Sequence, residues 1–477
     1  MKTKTPVGYL VGIAALFVLS SCGESDRGAA ASLGSNPIHT PVLEFVSDVP
    51  GITEPMLQPR FWQQRLTDDH VRMSDQQVRE FNATNLASDP YLHRLDDFPE
   101  IMSKDDVVAL IDKVSTPASS PRVFVDGSEV SAKDYGSLEA AVQRDAIPTE
   151  VNVRWGIAVQ RASMRSYPTN VRVLKNSDDR DLDRFQETGV FPGQRLAILH
   201  ESADGEWWFA VNYHYGAWIP KQAVALGERE RINQWLERTP RLTVSGAQVR
   251  TNFNPEDTRT SEVALDMGVS LPLLSADEVG HSVHGQNPYA SYIVSLPVRG
   301  EAGELEFEPT LIGRGRDVSV GHLPYKPSLV LQQAFKFLGE RYGWGHDYNG
   351  RDCTGFVGEV YKTFGIVMPR NSGQQGNSDF APTKRFEPDD HAAREKALTE
   401  LAVGDLIYIP GHVMMYIGEV NGEPYVIHDV TGMSYYREDN TFYQGTLAGV
   451  SVTPLMPLQL NKEKRFIDGI YAIKTII

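Results

Sequence analysis

The hydrophobic period of this chain changes twice, and each change limits what the segment around it can become. From about residue 41 to 150 apolar side chains recur at helical spacing, with Ser74 opening "SDQQVREFNATNL" and Ser103 opening "SKDDVVALIDKV" as capping residues. From about residue 151 the period drops to two. "VNVRWGIAVQRASMRSYP", "QRLAILHES", "EWWFAVNYHY" and "GAWIP" are short strand patterns separated by Gly, Asp, Asn and Pro, which predicts a small barrel over 151–226. A fainter set, "RLTVSGAQVR", "VSLPLL", "YIVSLPV" and "GELEFEPTLI", spans 240–325, and the likeness of "GQRLAIL" to "GVSLPLL" suggests a divergent repeat. Beyond "GHLPYKP" the helical period returns. Ser328 is the expected cap of "LVLQQAFKFLGER", and Asp352 that of a helix starting at Cys353 and closing at Gly365. A chain of 477 residues at ~150 residues per domain reads as about three domains.

Residues 1–21 follow another logic. Two lysines, an apolar run from Val7 to Leu19 and small residues before Cys22 make a secretion leader. The run is shorter than the ~20 residues that span a bilayer; an uncleaved anchor is the alternative. "LSSC" resembles a bacterial lipoprotein processing box, which implies an exported protein held at the cell envelope by acylated Cys22. Residues 22–40, small and polar, read as its tether. Gly23 stands where an aspartate is associated with inner-membrane retention, so the outer membrane is favoured.

The formal net charge of −16 is interleaved rather than blocked, and excludes nucleic acid as a partner. With two cysteines in the chain and one of them expected to be acylated, Cys353 has no partner for a disulfide. An unpaired thiol is either a small buried hydrophobe or a nucleophile. In the first turn of a helix the dipole favours the thiolate. Asp352 beside it opposes this, so an imidazole is required. "GDLIYIPGHVMMYIGEVNGEPYVIHDVTG" supplies His412 and His428 on strands around a turn at Asn421 and Gly422. His281 and His284 in "HSVH" lack companion ligands, so no metal or cofactor is expected.

"YGWG", "RDCTGFV", "FGIVMPRNSGQQ", "GDLIYI" and "GHVMMYIG", in this order, closely resemble the NlpC-type cysteine peptidases, a papain-like family that cuts bacterial cell-wall peptides. The likeness covers 326–477. Residues 151–226 and 240–325 look like paired bacterial SH3-like domains, and 41–150 resembles a clip-like helical domain. The resemblance implies a multidomain α+β protein that hydrolyses the bond between γ-D-glutamyl and a diamino acid, usually meso-diaminopimelate, in peptidoglycan stem peptides. It implies no cofactor and no obligate protein partner. It makes Cys353 the nucleophile, His412 the base and His428 its orienting partner, with the Tyr342 hydroxyl and the Cys353 N–H facing the oxyanion. It also places Asp352, Thr354 and Trp344 at the substrate, Asp352 holding the free amine of an N-terminal L-alanine. A plain helix cap is an equally open role for Asp352. His346 departs from the family, which often has glycine there. An amidase cutting muramoyl-L-alanine and a non-catalytic peptidoglycan-binding protein are the competing readings. The first barrel is expected to wall the site, with Tyr213, Tyr215 and Asp183 as its candidates.

Register sets the third catalytic residue. A strict two-residue turn at Asn421 and Gly422 with no irregularity puts Asp429 on the face of His412. The family pattern puts His428 there, which requires a bulge or odd turn between 417 and 427.

Overall fold

The serine-capped helices form where the pattern places them. Asp75–Ser88 starts from a reciprocal cap in which the Ser74 Oγ accepts from the Gln77 N–H at 3.3 Å and the Gln77 side chain accepts from the Ser74 N–H at 2.9 Å. Lys104–Asp112 starts at Ser103. The computed structural model describes residues 44–477, so the expected leader, Cys22 and the tether to residue 40 lie outside the described residues. Among the described residues no helix is long and apolar enough to cross a membrane.

The helical segment read as one domain divides its packing between two cores. Met56, Trp62, Met73 and Val78 join the C-terminal core, whereas Leu95, Val107, Ile111 and Val142 pack against the barrel.

The first barrel is a seven-stranded antiparallel sheet rather than the smaller set that the pattern suggests. Its order is Val224–Leu226, Arg154–Ala158, Arg195–Glu201, Trp207–Val211, Gly216–Pro220, Ala162–Arg165, Gln186–Val190. Both of its faces are covered. Trp207 and Phe209 point into one apolar cluster and Trp208 and Ala210 into another, which is why "EWWFAV" is apolar without alternation.

The second set of strands folds into three small sheets. "RLTVSGAQVR" is two strands, Arg241–Val244 and Gln248–Arg250, because the chain leaves the ladder where the Ser245 and Gly246 N–H groups both turn to the Asp317 carbonyl.

In the C-terminal region a six-stranded antiparallel sheet runs in the order Thr383–Arg385, Ala472–Lys474, Leu406–Ile409, His412–Val420, Glu423–Tyr436, Phe442–Pro454. The helices Pro327–Phe335 and Cys353–Lys362 share one core with this sheet. Ser328 is not the cap of the first helix, which begins at Pro327 after Lys326. Its N-terminal groups are satisfied from far along the chain instead. Asp69 accepts from the Ser328 N–H at 2.7 Å, the Ser328 hydroxyl at 2.8 Å and the Lys326 ammonium at 2.8 Å. The second helix has the expected start, with the Asp352 carboxylate accepting from the Gly355 N–H at 2.8 Å. Its far end is fixed by Asn82, which bonds both the Gly365 carbonyl and the Val367 N–H.

The hairpin combines a tight turn with a bulge. Val420 pairs with Glu423 across Asn421 (φ 55°) and Gly422 (φ 80°), the left-handed pair that a two-residue turn needs. Pairing then slips between Tyr416 and Gly418, leaving Ile417 as an extra residue. Gly418 makes the slip possible. Its φ is +136°, and a Cβ there would stand 3.2 Å from the Trp62 ring.

Candidate active site

The bulge decides which side chain joins His412. Met415 stands opposite Ile427, and counting on from that pair sets Met414 against His428 and Val413 against Asp429. His412 and His428 therefore share a face, and His412 Nε2 and His428 Nδ1 are 2.8 Å apart. His428 Nε2 lies 3.1 Å from the Thr453 hydroxyl. The geometry accommodates the tautomer in which His412 donates from Nε2 to His428 Nδ1 and His428 donates from Nε2 to Thr453. This leaves a lone pair on His412 Nδ1.

Cys353 is the first residue of its helix, 7% exposed, and the free cysteine among the described residues. Val413, the residue after His412, packs in the same core as Cys353 and the helix that starts there. Burial pushes the thiol up to about 12, with Asp352 adding to the shift and Val413 N–H opposing it. Burial likewise pushes His412 down to about 4. His428 is held well below its ordinary value by burial and by His412. The resting site thus holds a neutral thiol and neutral imidazoles. Tyr342 is 9% exposed, and burial first, then Cys353 and Asp352, push its hydroxyl far above its ordinary value. It remains a protonated donor.

Asp352 caps the helix and is held by donors on both of its oxygens. One oxygen accepts from the Gly355 N–H at 2.8 Å, the Thr354 hydroxyl at 3.0 Å and Arg370 at 3.1 Å; the other accepts from Arg370 at 2.7 Å and the Gly345 N–H at 3.0 Å. Burial alone would raise its pKa, but Arg370, with the Gly355 N–H, holds it well below the carboxylate range. Each oxygen is thus engaged by at least two donors. Thr354 is committed too, accepting from Arg370 at 2.6 Å.

Arg370 was not singled out by the sequence, although it lies inside "MPRNS". It is 3% exposed and also donates to Thr188 of the barrel at 2.7 Å. His346, the departure from the family, joins the same network. Its Nδ1 receives the Gly189 N–H at 3.3 Å and lies 3.2 Å from Arg370, while Nε2 lies 3.1 Å from Glu359. Burial, then Arg370, keeps the ring neutral. Arg351 completes the joint by donating to Glu359 at 2.8 Å, to Glu340 at 2.7 Å and to Asp266 of the second strand set at 2.9 Å. The Arg-Asp pair before the cysteine thus has two jobs, Arg351 tying the loop to the barrels and Asp352 starting the helix.

The barrel packs on the loops around the Cys353 helix, through residues that differ from most of those expected. Trp344 is pinned by its ring N–H on the Gln186 carbonyl at 3.1 Å. Half-buried Glu187 next to it accepts from the Ser166 and Tyr215 hydroxyls, and the Tyr215 hydroxyl also meets the Asn371 side chain. Burial raises the pKa of Glu187 against those two hydroxyls and Arg370. Of the barrel candidates, only Tyr215 belongs here. Asp183 is fully buried on Arg165, and the Tyr213 ring lies against His214 and Lys362. A single acid in "FQETGV" is too weak a sequence signal to have found Glu187.

Comparison with known proteins finds two stretches of the chain that match family models. Residues 339–452 match the NlpC/P60 family and residues 172–220 an SH3 domain of the SH3b1 type. A gamma-D-glutamyl-L-lysine dipeptidyl-peptidase of Bacillus cereus is 26% identical over 256 residues, covering 49% of this chain and 66% of that protein. The bifunctional muramidase/DL-endopeptidase CwlT of Bacillus subtilis is 26% identical over 192 residues, 37% of this chain and 46% of its own length. The chain thus spans less than two thirds of each of these relatives. A solved NlpC/P60 endopeptidase from Photobacterium damselae subsp. piscicida superposes with a TM-score of 0.67 at 16% identity, over 87% of this chain and 96% of that one, and so shares its fold.

Proposed function

We propose that this chain, which carries an NlpC/P60 domain at 339–452 and an SH3b-type domain at 172–220, is a cysteine endopeptidase that cleaves the γ-D-glutamyl bond to a diamino acid in peptidoglycan stem peptides. The observation that carries the reading is the His412–His428 pair beside a helix-start thiol. The name of the Bacillus cereus relative supports the choice of bond.

In this mechanism Cys353 Sγ attacks the γ-carbonyl as its proton passes to His412 Nδ1. The Tyr342 hydroxyl and the Cys353 N–H face the developing oxyanion, each donor contributing ~3 kcal/mol to the transition state. His412 returns the proton to the leaving diamino-acid amine, and water then hydrolyses the thioester. His428 has no charge to offer the imidazolium, so it acts by fixing ring and tautomer.

Because Asp352 is saturated, the free amine of an N-terminal L-alanine falls to Glu187 on the barrel wall. A substrate still joined to muramic acid presents an amide in place of the ammonium and leaves that acid unanswered. Cys22, acylated after export, would hold the enzyme at the outer membrane; loss of membrane retention in Cys22→Ala tests that part.

The test is mass spectrometry after incubation with L-Ala-γ-D-Glu-diaminopimelate, free or linked to muramic acid. Release of the diamino acid from the free peptide alone is expected, and Cys353→Ala should abolish it. Release of L-alanine from the sugar, or turnover by Cys353→Ala, would overturn the reading.

A further inference from the structure

Below the thiol lies a carboxyl that the mechanism leaves unused. Asp429 is 0% exposed, and neither of its oxygens has a hydrogen-bond partner. The bulge that turns His428 toward His412 turns Asp429 the other way. It sits opposite Val450 and, by register, Val413, on the side of the sheet whose core includes Cys353, Phe356 and Val357.

A buried carboxylate without a donor is too costly to persist; the group takes up a proton instead. Its neighbours reinforce this. Burial, then Asp352 and Glu340, push Asp429 up to about 9, with Arg351 alone opposing. From the loop before the helix come Glu340 and Tyr342; from the helix start come Arg351, Asp352 and Cys353. Arg351 is engaged by Glu340, Glu359 and Asp266, and Arg370 by Asp352. Among the described residues no cation donates a hydrogen bond to Asp429. Its charge, once formed, would act on Cys353 and Tyr342, both of which it pushes upward.

Resting on the peptidase reading, we propose that Asp429 is a positioning residue that sits uncharged beneath Cys353 and Tyr342, and that its ionisation at alkaline pH suppresses the thiol and the oxyanion it generates. Negative charge grows on the sulfur and on the carbonyl oxygen during attack, so a fixed charge below them opposes both. The proton goes to solvent, and neutral Asp429 permits reaction.

Labelling of Cys353 by iodoacetamide, read by peptide mass spectrometry on the full chain, needs no substrate, so it separates failure of this proposal from failure of the peptidase reading. Asp429→Asn keeps the shape and removes the titration. Equal labelling rates for variant and wild type are expected at pH 7, and about tenfold faster labelling of the variant at pH 10. Faster labelling at pH 7 would show a resting charge, and equal rates at pH 10 would show that Asp429 does not act on the thiol; either result overturns the proposal. Glu340→Gln leaves the strand intact and covers the case in which Asp429→Asn does not fold. It removes one charge that opposes ionisation, so the alkaline lag in labelling should move about one pH unit lower. An unmoved lag overturns the proposal as well.

Discussion

His412 and His428 meet at 2.8 Å because the His412 strand carries one residue more than its partner. Without Ile417 as the extra residue, every side chain beyond it would change face, and Asp429 would stand where His428 does. His428→Ala should lower kcat about a hundredfold with little change in KM, within the range of general-base assistance. Gly418→Val should do the same from a distance. It forces a β-branched residue to φ +136° and against Trp62. Steady-state kinetics on the free tripeptide checks both, and full activity in Gly418→Val would show that the bulge does not hold the pair.

The acid limb of the pH profile follows from His412. Burial pushes it down to about 4, so the ring is a neutral base throughout the range above that value. Activity (kcat/KM) should rise through about pH 4 and be flat toward neutrality. A limb at the ordinary histidine value near ~6.5 would contradict this.

Glu187→Gln tests the barrel's share in specificity. Losing the charge opposite the L-alanine ammonium should lower kcat/KM on the free tripeptide about 10- to 100-fold, as for one charged hydrogen bond. It should leave the muramic-acid-linked peptide as poor a substrate as before. An equal loss on both would place Glu187 in the scaffold only.

Arg370→Met leaves the Asp352 carboxylate buried and unpaired, which should cost about 3–5 kcal/mol of unfolding free energy. The pH dependence has a definite sign. Asp352 has its folded pKa depressed, so the pair stabilises above the unfolded value near ~3.9 and the stabilisation is lost as pH falls through the folded value. The deficit of the variant should therefore be full at pH 7 and shrink below about pH 4. Urea titrations at the two pH values measure it.

The sequence by itself determined the features that depend on near neighbours. Helical and two-residue periods separated the regions, Ser74, Ser103 and Asp352 marked helix starts, and Asn421 with Gly422 fixed a two-residue turn. Five ordered motifs were sufficient to suggest the family. Tertiary structure decided whatever depends on groups remote in sequence. The helix at Pro327 is capped by Asp69 rather than by Ser328. The bulge rests on Trp62, far from Gly418 along the chain. Asp352, Glu187 and Asp429 are three acids that local sequence cannot rank. Arg370 saturates the first, two hydroxyls of the barrel leave the second half-buried, and the third has no donor at all. A carboxyl's charge is set by the donors and solvent that surround it in space, and the chain acquires those only when its domains close on one another.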